Sequence, residues 1–207
     1  MKDNVTPTRH NLMRLQHQLD VATKGHDTLE RKRDRLILEL MDLVQKERAV
    51  HGDLEAAWER AERARDRAYQ IDGHLALESA AEACSGTPEV LITTSSLLGV
   101  RLPQIESRNV RKTLADRGYG IIGTSTSIDE TAESHEALLE QVIVTAEIEA
   151  GIKRLLDEIQ RTMVKVRALE HRLIPDLETT IESIQFHLDE REREERIRQF
   201  YFKRRFG

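Results

Sequence analysis

Hydrophobic residues in the first part of the chain recur at alternating spacings of three and four, from position 12 to position 75. Sixteen of the nineteen positions in this series are Leu, Ile, Val or Ala, and the exceptions are His26, Arg33 and Glu47. A seam this narrow is typical of a helix that packs along a second helix. The pattern therefore predicts a long helix with one apolar stripe.

The limits of this first helix are predicted from capping residues. Thr6 is a suitable N-cap, and Pro7 suits the first helical position because its missing N–H is not needed there. No proline follows between Thr8 and Ala83. We therefore expect one helix to about Ala83, roughly 110 Å long, which predicts an elongated molecule.

A second long helix is predicted after position 127. The sequence S-I-D-E at 127–130 reads as a capping box. Three–four spacing follows through 152–173, and apolar residues continue at Leu177, Ile181, Ile184 and Leu188. Between Leu169 and Ile181 the steps are four, four and four, which is a stutter that unwinds a left-handed supercoil. Pro175 lies in it and is expected to kink or loosen the helix.

The segment between the two helices, 84–127, has a different composition. It contains five of the ten glycines and two of the four prolines. The β-branched run at 90–94 and the apolar run at 97–103 predict a small β-hairpin. The run at 108–118 predicts a short helix that ends at Gly118.

Together these elements predict a mainly α protein: a long antiparallel two-helix coiled coil with a small mixed α/β segment in the middle. The expected parts are an N-terminal helix at 1–83, a middle segment at 84–127, and a C-terminal helix with a basic–aromatic tail at 128–207. If Ala83 lies beside Ile128, facing residue numbers sum to about 211. Arg33 then lies near Glu178, and this pair would fix the register of the seam.

Composition excludes several classes of protein. The charged fraction is 33%, and the longest apolar runs are too short to span a bilayer. The N-terminal residues show no apolar signal-peptide core. Cys84 is the only cysteine, so no internal disulfide forms and a reducing compartment is expected. A net charge of −5 argues against general attraction to nucleic acid.

The chain contains few candidates for chemistry. G-Y-G-I-I-G at 118–123 fits the dinucleotide-binding letters, but the residues before it are polar and do not form a core strand. A loop or strand is the better interpretation. The histidines show no metal-binding pair at helical spacing, and no nucleophile has a catalytic context. We therefore expect no catalytic residue, no cofactor and no metal.

Two long motifs resemble a known family. The first combines Pro7-Thr8-Arg9, Lys24-Gly25-His26 and Lys32-Arg33-Asp34; the second combines Ala168-Leu169-Glu170 with 174–181 and 188–194. Gly-Val-Arg-Leu-Pro at 99–103 also fits. These residues resemble the D subunit of the archaeal/vacuolar-type rotary ATPases over nearly the whole chain. Arg167 departs from the pattern, because the family usually has Asn there.

The resemblance implies the central-stalk rotor shaft of an A/V-type ATP synthase/ATPase, a non-catalytic component of a proton- or sodium-translocating complex. Implied partners are the A and B subunits of the catalytic hexamer, the F subunit, and the C/d subunit that links to the membrane rotor. The implied location is peripheral, on the cytoplasmic face of the membrane, with no direct membrane insertion. Nucleic acid is not among the implied partners. ATP chemistry would take place in the A subunits.

The resemblance also implies which end of the molecule meets which partner. Both chain ends would lie within the hexamer, and the middle segment would lie toward the stalk. For the hexamer we expect contacts from Arg9, Arg167 and the basic cluster Lys203, Arg204 and Arg205. For the stalk we expect contacts from the 90–103 segment, namely Val90, Leu91, Ile92, Val100, Arg101 and Leu102.

Two other functions remain open from the residues alone. A static coiled-coil scaffold or tether would share the same fold, and it would self-associate without an ATPase partner. A nucleotide-binding enzyme is the third interpretation, and nucleotide titration of the isolated chain would exclude it.

Overall fold

A computed structural model describes residues 6–84, 87–114, 116–120 and 124–206, with backbone alone for 205 and 206. The helices are α1 (Arg9–Asp72), α2 (His74–Ala83), α3 (Thr126–Ala168) and α4 (Ile174–Phe206), and a π-helical turn (Leu169–Leu173) joins the last two. The strands are β1 (Glu89–Leu97) and β2 (Val100–Arg108). The predicted class, long N- and C-terminal helices that pack together with a small antiparallel sheet, is confirmed.

The chain divides into two compact units. One comprises Met1–Arg35 with Ile159–Gly207, and the other comprises Leu36–Glu158. We call them the terminal unit and the central unit.

In the terminal unit, the start of α1 packs against α4. Leu15 is buried with Ile181 and Ile184, and flanking leucines cover this cluster at positions 12, 19, 177 and 188. The Arg191 guanidinium donates to the Pro7 carbonyl at 3.3 Å. Residues early in α1 thus meet residues late in α4, so the two helices run antiparallel.

The N-cap of α1 differs from the predicted one. The helix begins at Arg9, and the Thr8 hydroxyl accepts the Asn11 N–H at 3.2 Å. Thr6 instead accepts the Asn11 side-chain amide through its carbonyl and hydroxyl oxygens. The reason is that Thr8 lies three residues before Asn11, the spacing at which an N-cap hydroxyl reaches a free N–H.

The predicted stutter corresponds to the π-helical turn. The Ile174 N–H donates to the Leu169 carbonyl, five residues back. Pro175 follows at once and has no N–H, and its ring would clash with the carbonyl four residues earlier in an α-helix. The wider turn accommodates an extra residue, which moves the predicted seam residue Leu173 outward to 45% exposure.

In the central unit, α1 packs against α3. Arg67 pairs with Glu130 at 3.1 Å, and a Cβ placed on Gly151 would lie 3.4 Å from Leu43 Cδ1. In the same part of α1, four seam alanines are 0–8% exposed: Ala57, Ala61, Ala64 and Ala68. Small side chains permit a short distance between helix axes, since axis spacing depends on the residues at the contact.

The helix register differs from the predicted one. Facing numbers sum to 201 for Arg9–Glu192 and to 197 for Arg67–Glu130, not to 211. The predicted Arg33–Glu178 pair is therefore wrong, and Arg33 instead pairs along its own helix with Asp34 at 2.8 Å and Glu30 at 3.4 Å. The cause lies at Gly73, where the long seam ends about ten residues earlier than the pattern indicated.

Gly73 separates α1 from α2. Its φ is +78°, a left-handed conformation that residues with a Cβ adopt only at a cost. The predicted seam residues Ile71 and Leu75 flank it and are 64% and 82% exposed. The apolar repeat thus continues through a position where the backbone leaves the helix.

The start of α3 is fixed by the end of α1. The Asp72 carboxylate accepts hydrogen bonds from the hydroxyls of Ser125 and Ser127. The Ser125 carbonyl accepts the first helical bonds, from Ile128 and Asp129. Ser127 therefore lies inside α3 and is not the predicted N-cap, because its hydroxyl bonds to Asp72.

The predicted hairpin is confirmed. The strands pair antiparallel from Glu89↔Arg108 to Leu97↔Val100, and Leu98 and Gly99 form the turn. Both turn residues have positive φ, at 51° and 83°. Two-residue turns of this kind match the right-handed twist of the strands that they join.

Two glycine substitutions test the break between α1 and α2. Gly73→Ala should lower the free energy of unfolding by about 1 kcal/mol, because alanine is strained at positive φ. Gly52→Ala is the matched control: Gly52 lies within α1 with open space around its Cα. It should raise the same quantity by about 0.5–1 kcal/mol. Urea unfolding monitored by circular dichroism measures both, and equal effects of the two variants would contradict this account of Gly73.

Candidate partner-binding surfaces

The hairpin presents most of the residues that the sequence proposed for stalk partners. Val90, Leu91 and Ile92 are 48%, 50% and 65% exposed, and Arg101 is also exposed. Leu102 is half-buried, and Val100 is buried at 7% exposure. Val100 therefore belongs to the packing of the hairpin and not to its free surface.

An acidic stripe on α3 holds the segment that follows the hairpin. We use this name for Asp129, Glu136, Glu140 and Glu147, whose spacings of seven, four and seven place them on one helix face. Each accepts a hydrogen bond: from Tyr119 OH, Arg117, Arg111 and the Ile105 N–H, respectively. The segment thus runs antiparallel to α3, one contact after another.

Arg117 makes the most buried contact of the stripe. It is 6% exposed, and its Nε and Nη2 donate to the two carboxylate oxygens of Glu136 at 3.0 and 3.1 Å. The same carboxylate accepts the Lys112 N–H at 3.3 Å. These bonds to Glu136 are the first cause that raises the pKa of Arg117 above its usual value. A buried guanidinium with a bidentate partner fixes the path of its loop.

Tyr119 completes this arrangement. It is 8% exposed, and its hydroxyl donates to Asp129 Oδ1 at 2.7 Å. Burial, followed by the hydrogen bond to Asp129, raises the pKa of Tyr119 to about 12. The neutral hydroxyl is therefore the form that the folded protein stabilises.

The short helix predicted at 108–118 does not form among the residues described there, which adopt turns and bends. Asn109 has a φ of +58°. A helix would also turn the side chains of Arg111 and Arg117 away from a common line along α3. The sequence signal that could have indicated the contact between this loop and α3 is the heptad-like spacing of the acids on α3. Of the 118–123 glycine motif, 118–120 lie outside any helix or strand, and 121–123 lie outside the described residues.

A small apolar cavity lies where α1, α2 and α3 meet in the central unit. Its volume is about 300 Å³, and Tyr69, Leu77, Tyr119 and Ile128 contribute to its wall. Cys84 also lines it and is exposed. No local pattern in the sequence indicated this cavity, because its wall combines distant parts of the chain.

The residues proposed for the hexamer lie at different positions of the terminal unit. Arg9 pairs with Glu192 at 2.5 Å while 80% exposed. Arg167, Lys203 and Arg204 are exposed, and the side chain of Arg205 lies outside the described residues. Phe200, Tyr201 and Phe202 beside them are 63–66% exposed. Aromatic and basic residues thus share the end of α4, as the tail sequence suggested.

One group of metal-ligand type is found among the described residues. His26 Nδ1 lies 3.5 Å from Asp27 Oδ1 and 4.0 Å from Glu30 Oε2. All three side chains come from one helix, and the two carboxylates are 56% and 40% exposed. This is the geometry of ion pairing on a helix surface, and we assign no metal to it.

The chain is similar in sequence to known proteins along most of its length. The family model for the D subunit of ATP synthase matches residues 11–204. The D subunit of the A-type ATP synthase of Haloarcula marismortui is 46% identical over 198 residues, covering 96% of this chain and 86% of that protein. The corresponding D subunits of Methanosarcina acetivorans and Methanoregula boonei are 42% and 41% identical, covering 95% and 98% of this chain and 94% and 97% of theirs.

These matches show the class of the protein: it is a component of an ATP synthase complex. Among the described residues, no helix is long and apolar enough to cross a bilayer. The chain belongs to the D-subunit family of ATP synthases, and the relatives named above are of the A-type.

Removing the Arg117 guanidinium should be costly. Arg117→Ala leaves the half-enclosed Glu136 carboxylate without its main partner, so we expect a loss of about 3–5 kcal/mol in the free energy of unfolding. Arg111→Ala removes the exposed pair with Glu140 and should cost less than about 1 kcal/mol. Urea denaturation compares the two. A similar, small loss in both variants would show that Arg117 does not hold the loop.

The raised pKa of Tyr119 predicts a loss of stability at high pH. Between pH 10 and about 12 the unfolded tyrosine ionises while the folded one keeps its proton, so the free energy of unfolding falls as the pH rises. Tyr119→Phe cannot ionise and should lose less over this range. The measurement is urea unfolding of both proteins at pH 9, 10 and 11.5. An unchanged difference between them at all three values would argue against the assigned environment.

Proposed function

We propose that this chain is the central-stalk rotor shaft of an A-type ATP synthase, which transmits torque between the ion-driven membrane rotor and the catalytic A/B hexamer. The observation that carries the proposal is the family membership of a chain whose helix α1 runs unbroken for 64 residues. This helix packs antiparallel against α4 near its start and against α3 further along. A shaft needs such paired helices, because a single isolated helix in water is only marginally stable.

The surface of the helices supports a rotating role. Exposed ion pairs along single helices occur repeatedly, as in Lys24–Asp20, Arg63–Glu59 and Arg198–Glu194. Each exposed pair contributes little free energy. A charged surface of this kind favours weak contacts that a turning shaft exchanges easily, in contrast to a large apolar interface.

The two ends of the protein receive different partners in this proposal. Arg9, Arg167, Lys203, Arg204 and Arg205 contact the A and B subunits, and the exposed aromatic residues of the tail add apolar area beside the basic ones. The hairpin contacts the stalk partners, which are the F subunit and the C/d subunit. The chain itself performs no catalysis and holds no cofactor, since ATP chemistry belongs to the A subunits in this arrangement. In this proposal the complex lies on the cytoplasmic face of the membrane, with this chain as a peripheral component.

Affinity purification of the tagged full-length chain from its own cells tests the proposal. We expect large A and B ATPase subunits to accompany it, together with ATP hydrolysis. A self-associated protein without these subunits and without hydrolysis would instead favour a static scaffold. Calorimetric titration of the isolated chain with ATP should show no binding.

The hexamer contact is tested with charge reversal. Lys203→Glu with Arg204→Glu should slow association with a purified A/B hexamer about tenfold, because electrostatic attraction raises association rates. Arg48→Glu with Arg60→Glu is the matched control, with the same change of charge on exposed residues of α1. Stopped-flow binding at low and high salt measures both. Equal slowing in the two double variants would indicate a general charge effect and contradict a tail contact.

A further inference from the structure

The two outer edges of the hairpin are treated differently by the rest of the protein. The Ile105 N–H donates to Glu147, away from β1, at 3.0 Å. Ile92 is the residue that faces Ile105. Because the Ile105 N–H points away from β1, these two residues form a non-hydrogen-bonded pair of the ladder. The parity of the ladder then directs the backbone groups of Val90, Ile92, Thr94 and Ser96 outward from β1. We call these outward groups the β1 edge.

The outer edge of β2 is covered. Pro103 has the same parity as Ile105, so its backbone groups face outward. Because it is a proline, it has no N–H at this outward position. The Ile105 N–H is taken by Glu147 of the acidic stripe. A proline and an intramolecular acceptor are both devices by which proteins protect a sheet edge from other strands.

The β1 edge has none of these devices. No residue from 90 to 97 is charged and none is proline, in a chain whose charged fraction is 33%. Within the described residues, no hydrogen bond reaches the N–H groups of Val90, Ile92, Thr94 or Ser96. The strand is nine residues long, and the side chains of Val90 and Ile92 are 48% and 65% exposed. An open edge of this length and composition is a template for another strand.

We propose that the β1 edge binds an extended segment of a stalk subunit, which adds to the hairpin as a third strand. The inference rests on the proposed function for the origin of the partner and adds the mode of binding. The outward backbone groups require an extended strand as the occupant, and the uncharged residues 90–97 favour a strand that is uncharged along most of its length.

The charge of the hairpin face further specifies this occupant. Side chains at 90, 92, 94 and 96 share a face with those at 101, 103, 105 and 107, and Arg101 is the only charged residue among them. An acidic residue at the end of the added strand that lies near the turn would pair with Arg101. A second copy of this chain offers no acid on the same face, so two copies paired through β1 would leave both arginines without one. The partner is therefore a different polypeptide.

One backbone N–H can be removed without disturbing the hairpin. Thr94 faces Pro103 in a non-hydrogen-bonded pair, so Thr94→Pro deletes an outward donor and no bond of the ladder. Thr94→Val is the matched control, because it keeps the N–H and the branched Cβ. Purified F subunit and purified C/d subunit are each titrated into the full-length wild type and both variants. We expect Thr94→Pro to weaken the binding of one of them at least about tenfold, and Thr94→Val to change it less than about threefold.

Hydrogen exchange gives a test that does not depend on a variant. On binding of the same partner, hydrogen exchange should slow at the amides of Val90, Ile92, Thr94 and Ser96, which alternate along β1. The amides of 91, 93 and 95 are already protected by β2 in the free protein. Circular dichroism and the exchange of 91, 93 and 95 in free Thr94→Pro verify that its hairpin is intact.

The outcomes separate the two proposals. A stalk subunit that binds the wild type with no protection of the alternate amides, and equally well to Thr94→Pro, overturns strand addition and leaves the rotor function standing. If neither the F subunit nor the C/d subunit binds the wild type, the stalk partners in the proposed function are wrong, and strand addition by them is overturned with it. A wild type that sediments as a dimer, with Thr94→Pro a monomer, assigns the edge to a second copy and overturns the partner proposed here.

Discussion

The acidic stripe on α3 is the interaction on which the central unit depends. Its four carboxylates bind a tyrosine hydroxyl, two guanidinium groups and two backbone N–H groups, and these donors come from 105–119 in reverse order along the helix. A two-stranded hairpin is at best marginally stable alone in water. Attachment to a rigid helix gives it a fixed position and direction. Arg117 contributes most to this attachment, because its guanidinium is buried and bidentate.

Helix α3 is also held in place by α1, through contacts other than those of the acidic stripe. The buried alanines at 57–68 bring the two helices close, and the Asp72 carboxylate joins the end of α1 to the hydroxyls at the start of α3. The hydrogen bonds from Ser125 and Ser127 lower the pKa of Asp72, so this junction uses the ionised carboxylate. Helix α3 therefore has two separate tasks: its apolar face packs against α1, and its acidic face holds the hairpin and the following loop.

The sequence predicted the parts of this fold that depend on local pattern. The apolar seam correctly identified the buried residues Leu15, Leu36, Leu155 and Ile184, and the β-branched run identified the hairpin. The four–four–four spacing with Pro175 marked the position of the π-helical turn. Each of these features is determined by side-chain periodicity or by proline within one segment, and so needs no knowledge of the rest of the chain.

The parts that were missed depend on contacts between distant segments. The heptad pattern runs through Gly73 without interruption, and only the backbone conformation there shows that α1 ends. The register followed from the assumed position of that end, so the pairing of Arg33 with Glu178 failed with it. The loop at 109–120 resembles a helix in its composition, but its arginines find their partners on α3. A local pattern cannot indicate such partners unless the acids of the other segment are examined together with it.

The same contacts bear on how force would pass through the hairpin if the chain acts as a shaft. β1 pairs with β2 along nine residue pairs, and β2 is joined to α3 through Glu147, while Arg111 and Arg117 join the following loop to Glu140 and Glu136. A partner bound at β1 would therefore pull on hydrogen bonds that act side by side along the strands. From β2 the force reaches α3 at several points spread over about three turns of helix. Because α3 is packed against α1, both long helices would share the load, and no single ion pair would carry it alone.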